Sequence, residues 1–120
     1  MNAPSFVEAR KTVAKWLNSD LDRFKNNNIS VEILKDNKHC LRVELNFGEV
    51  LAEIIVEEPG FAPYRFVSFQ AGDIINGVPE MVHFWYDEEN TTNEEIIENL
   101  NKAVDIVLAY NKSLIENDII

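Results

Sequence analysis

Cys40, His39 and His83 are the only side chains of this 120-residue sequence that offer a thiol or an imidazole. A Cys–His nucleophilic pair needs the imidazole within hydrogen-bond reach of the thiol whose proton it takes. His39 and Cys40 are adjacent, and adjacent residues of a strand point to opposite faces, so they cannot chelate one ion together. Cys40 and His83 can meet only if their strands are neighbours and their side chains share a face, and nothing in the sequence requires that. A small apolar thiol packed between strands is the simpler expectation, since free cysteine is among the most often buried residues. Asp87, Glu89, Thr91, Asn93 and Glu98 can be laid over the ligand spacing of a calcium loop. The fit fails where geometry is strictest, because Thr92 stands where the sharp turn needs glycine and a strand, not a helix, is expected before it. G-x-S-x-G, Walker, dinucleotide, C-x-x-C and H-E-x-x-H patterns do not occur. The expectation is a protein with no catalytic residue, no metal site and no cofactor.

Aromatic residues are the more promising group. Tyr64, Phe66, Phe69, Phe84, Trp85 and Tyr86 fall in two neighbouring expected strands, with Met81 and His83 among them. Tyr, Trp, Phe and Met are the types enriched in the cores of protein interfaces. If Val67, Phe69 and Ala71 join Val82, Phe84 and Tyr86 on the buried face, then Tyr64, Phe66, Ser68 and Gln70 sit beside Met81, His83 and Trp85 on the open one. Tyr64, Phe66, His83 and Trp85 are therefore the candidate anchors for a protein partner. The alternative is that a loop, or the segment from Pro59 to Pro63, covers them as a second small core. Asp87, Glu88 and Glu89 would form an electrostatic rim. Glu94, Glu95 and Glu98 follow them, and carboxylates in a first helical turn also have a purely structural reading, because the helix dipole stabilises them.

These residues must be positioned by a mixed fold. Ser5-Phe6-Val7-Glu8 is a capping box, and Phe6, Ala9, Val13, Leu17, Leu21 and Phe24 recur at helical spacing, predicting a helix from Ser5 to Asn26. The period then changes to two. Ile29, Val31 and Ile33 predict one strand, Leu41, Val43, Leu45 and Phe47 a second, and Val50, Ala52, Ile54 and Val56 a third, with Gly48 allowing a tight reversal. A fourth strand, Tyr64 to Ala71, and a fifth, Glu80 to Tyr86, are apolar in both phases, and the Asn76-Gly77 dipeptide between them suits a hairpin turn. Thr92-Asn93-Glu94-Glu95 caps a second helix from Asn93 to Asn117, whose stripe is Ile96, Ile97, Leu100, Ala103, Val104, Val107 and Leu114. The result is one α+β domain: a helix, a five-stranded, mainly antiparallel meander and a long helix, both helices on one sheet face.

With 46% hydrophobic and 10% aromatic residues, the chain is too apolar for disorder despite a net charge of −10. A pI near 4.5 opposes phosphate backbones and anionic lipid, so nucleic acid and membrane are not expected partners. The acidity is local. Met1 to Phe47 carry eight Lys or Arg and six Asp or Glu, whereas the remainder carries three and fifteen. Met1-Asn2-Ala3-Pro4-Ser5 has no basic stretch leading into an apolar one, and the chain has a single cysteine, both of which fit a cytoplasmic protein.

Phe61-Ala62-Pro63-Tyr64-Arg65-Phe66-Val67-Ser68-Phe69, then Val82-His83-Phe84-Trp85-Tyr86-Asp87, then Glu95-Ile96-Ile97-Glu98-Asn99-Leu100 resemble the pattern of small acidic immunity proteins of bacterial polymorphic toxin systems. The resemblance covers about residues 60 to 100. It implies a protein that binds one cognate toxin, occludes its active site with an acidic, aromatic-bearing surface, and catalyses nothing. Small acidic chaperones of secreted bacterial proteins are the alternative, and a small enzyme or ligand-binding domain is the third. A homodimer is compatible with any of them.

Overall fold

Both long helices begin at the caps that the sequence places. In the computed structural model, which describes residues 3–59, 63–73 and 80–118, the Ser5 hydroxyl accepts from the Glu8 amide at 3.2 Å, while the Ser5 amide donates to Glu8 Oε1 at 3.0 Å. Thr92 and Glu95 repeat the exchange at 3.2 and 3.1 Å. Each box satisfies two amides that a helix start otherwise leaves unpaired.

The elements follow in the order α1 (Phe6–Ser19), α2 (Leu21–Asn26), β1 (Ser30–Asn37), β2 (Cys40–Asn46), β3 (Val50–Glu57), β4 (Val67–Asp73), β5 (Glu80–Tyr86) and α3 (Asn93–Asp118). The single first helix expected from Ser5 to Asn26 is thus two. Asp20, at φ −100° and ψ 4°, lies outside the helical basin, and its amide closes α1 on the Trp16 and Leu17 carbonyls. The break interrupts the 3.6-residue period, so Leu21 falls off the buried stripe and is exposed, while Trp16 is buried with its indole N–H on Asn101 Oδ1 at 2.8 Å. Asn28, at φ 58°, ends α2 in a Schellman motif: its amide reaches the Lys25 carbonyl, and that of Ile29 the Phe24 carbonyl.

The five strands form one antiparallel sheet in chain order. Its inner face, with Leu41, Val43 and Leu45, the Val50, Ala52, Ile54 and Val56 series, and Val67, Phe69 and Ala71, packs into one buried cluster with Phe6, Val13, Leu17, Phe24, Leu100, Val104 and Val107. Phe6, Val13, Leu17, Phe24, Leu41, Val43, Leu45, Ile54, Leu100, Val104 and Val107 are buried as their spacing predicts, whereas Leu21, Ile33 and Ile97 of the same predicted stripes are exposed. Asn111, buried on α3, accepts from the Glu49 amide at 2.8 Å and so ties that helix to the β2–β3 turn, where Gly48 takes φ +111°. Among the described residues no helix is long and apolar enough to cross a membrane. The Asn76-Gly77 turn and the residues Gly60, Phe61 and Ala62 lie outside the described residues.

Candidate protein-binding surface

With α1 and α3 on the inner face, the outer face of the sheet carries side chains that the core does not use. Pairing aligns them in rows. Glu32, Glu44, Glu53, Gln70 and Phe84 stand opposite one another across all five strands. Arg42, Ile55, Ser68 and Tyr86 form the row on one side, and Asn46, Leu51, Gly72 and Met81 the row on the other. Phe84 is 56% and Met81 61% exposed, and the Phe84 and Tyr86 rings stack with centroids 6.0 Å apart. Three carboxylates therefore face one another in series, and of these Glu53 is paired with Arg42 at 3.3 Å. Directly opposed like charges weaken a sheet. A shallow depression of about 460 Å³, lined in part by Glu44, Leu51, Glu53, Gln70 and Met81, runs between the carboxylates and β5.

The sequence-predicted site residues are divided by the structure. His83 stands opposite Ala71 and Trp85 opposite Phe69, which puts both on the inner face, the reverse of the expected parity. His83 lies 6.1 Å from the Phe69 ring, and burial, reinforced by the Lys102 charge, lowers its pKa toward the neutral imidazole. Trp85 packs half-buried against the core. Phe66 does the same, edge-on to Phe6 at 5.6 Å, with the Arg65 guanidinium 4.4 Å from its ring centroid. Tyr64 donates its hydroxyl to Glu57 Oε1 at 2.6 Å at the end of the outer face. Burial, with that bond and the Glu57 charge, pushes the phenol up to about 12.

Asp87 is not part of a rim. It is 2% exposed, and its Oδ1 accepts from the Phe66 and Val67 amides at 2.8 and 2.9 Å. Burial raises its pKa against the opposing pull of those amides. The residue locks the entry of β4 to the exit of β5, a task that its place in an acidic run conceals. Glu88 and Glu89 are exposed in the turn before α3, as a rim would need, and a groove of about 370 Å³ joins Glu88 and Glu95 to the Phe84, Trp85 and Tyr86 edge of β5. Cys40, on the outer face of β2, and His83, on the inner face of β5, are separated by β3 and β4.

The reversed parity has a local cause. Asp73 pairs with Glu80 and Gly72 with Met81, the register that a two-residue Asn76-Gly77 turn implies, but Ala71 then pairs with His83, leaving Val82 as an extra residue. One inserted residue sends every later side chain of the strand to the other face. Phe84 and Tyr86 therefore replace His83 and Trp85 on the open face, beside Met81, which precedes the inserted residue and keeps the face expected of it. The Glu44 and Glu53 positions follow from the alternation of β2 and β3 and needed only the strand register to be seen as a row. Comparison with protein-family models, curated proteins and solved structures finds no match.

Proposed function

We propose that this chain is a protein-binding inhibitor, an immunity protein that binds and neutralises one basic cognate toxin in the bacterial cytoplasm, with the outer sheet face as its contact surface. The observation that carries this reading is Phe84, 56% exposed and stacked on Tyr86 at the end of a row of three carboxylates that have little counter-charge of their own. Stacked rings supply contact area at small entropic cost and slow dissociation, whereas the carboxylates attract a cationic partner and raise the association rate. Glu88 and Glu89 extend the negative field toward the groove at the edge of β5.

The test is co-expression with the product of the gene adjoining this one. Protection of the cells, lost with the Phe84→Ala/Tyr86→Ala double variant, is the expected result. Failure of the unaltered chain to protect would overturn the immunity reading, and enhanced secretion of that product without neutralisation would favour a chaperone instead.

A further inference from the structure

The β1 edge lies in the one part of the chain that is not acidic, since Met1 to Phe47 carry eight basic and six acidic residues. It is also apolar at its centre, with Ile33 53% and Leu34 45% exposed. Its charges are oddly placed for a single chain. Glu32 stands opposite Glu44, and Lys35 stands opposite Arg42, so both charged positions of the strand's outer face meet a like charge on β2. Neither Glu32 nor Lys35 has an ion-pair partner among the described residues.

A bulge explains how residues three apart share a face. Ile33 pairs with Val43 and Lys35 with Arg42, leaving Leu34 as the extra residue, so Ser30, Glu32, Lys35 and Asn37 all follow the outer face while Val31, Ile33 and Asp36 follow the inner one. The strand is thereby symmetric in face about the Ile33–Leu34 bond at the flanking pairs Glu32 and Lys35, Val31 and Asp36, and Ser30 and Asn37. A bulge without such symmetry would spoil the edge for pairing. We infer that two copies of this chain pair through β1, antiparallel about a two-fold axis at the Ile33–Leu34 bond, with Glu32 of each copy opposite Lys35 of the other.

In this register Ser30 meets Asn37 and Val31 meets Asp36, so these opposed residues, like Glu32 and Lys35, keep to one face, as an antiparallel pair demands, with Ile33 and the bulged Leu34 at the axis. The outer row becomes Glu44, Glu32, Lys35 and Arg42, the last two from the second copy, and both like-charge pairs acquire an opposite charge beside them. The interface is isologous and continues the sheet to ten strands. β5 and the acidic parts of the two copies stay at opposite ends, where the mutual repulsion of two chains of charge −10 is screened. One strand pair is a small interface, so the dimer is concentration-dependent.

The experiment is sedimentation equilibrium on the intact chain from micromolar to millimolar concentration, for the unaltered protein, Glu32→Lys, Lys35→Glu and an equimolar mixture of the two variants. Both positions are exposed, and either substitution removes a like-charge pair within the chain, so the folded monomer is not weakened. The unaltered protein should dimerise. Each variant should dimerise about ten-fold more weakly or worse, because two facing attractions become two repulsions. The mixture should recover the dimer, since at both facing pairs the Glu32→Lys chain then contributes the cation and the Lys35→Glu chain the anion. A monomer throughout, variants that dimerise as well as the unaltered chain, or a mixture that recovers nothing would each overturn the proposal.

Discussion

On the inner face of the sheet, β3 buries Val50, Ala52, Ile54 and Val56 completely, while on its outer face the same strand presents Leu51, Glu53 and Ile55 beside Glu44, Phe84 and Tyr86. The inner side chains are accounted for by burial, which contributes about 1.5–3 kcal/mol per fully buried aliphatic or aromatic side chain. The outer ones are not accounted for by folding. Opposed carboxylates cost stability, and an exposed phenylalanine adds little. That contrast is the ground for placing the proposed partner contact on the outer face.

Substitutions should separate the two faces by size of effect. Leu100→Ala, at a fully buried position beneath the sheet, should lower unfolding free energy by about 2–5 kcal/mol in denaturant titration. Asp87→Ala should come next, because it strips the acceptor from the Phe66 and Val67 amides at about 1–3 kcal/mol for each buried donor left unpaired. Asp87→Asn, which keeps Oδ1 and removes the buried charge, should recover most of that loss. On the outer face Phe84→Ala should change stability by no more than about 0.5 kcal/mol, and Glu44→Gln should raise it by about 0.2–1 kcal/mol by relieving both Glu32 and Glu53. A loss of several kcal/mol in either outer-face variant would erase the contrast.

A last effect is one of pH. The Tyr64 phenol titrates near 10 when free and at about 12 in the fold, so the folded chain holds the proton longer. Its contribution is full below pH 10 and is lost as pH rises toward 12. Tyr64→Phe should flatten the decline of stability across that window, as followed by chemical denaturation at stepped pH.

The same contrast shows what could be read from the residues alone. Capping boxes at Ser5 and Thr92 and the period-two runs of β2 and β3 are local signals, and the elements they announce form where expected. Asp20 interrupts the first helix without a proline or glycine to announce it. Asp87 is tied to backbone amides, which carry no residue signature. The anchors on β5 turn on one unpaired residue, Val82, in a strand apolar in both phases, so no periodicity marks the slip that exchanges His83 and Trp85 for Phe84 and Tyr86.

The proposed function rests on the outer face, and not the His83 and Trp85 side of β5, making the partner contact. The direct measurement is the dissociation rate from the product of the adjoining gene for Phe84→Ala and His83→Gln beside the unaltered chain. Phe84→Ala should dissociate about thirty-fold faster, the kinetic equivalent of a hot spot of about 2 kcal/mol, while His83→Gln should dissociate at the unaltered rate. Fast dissociation of His83→Gln with an unchanged rate for Phe84→Ala would overturn that assignment and return the contact to the helical side of the strand.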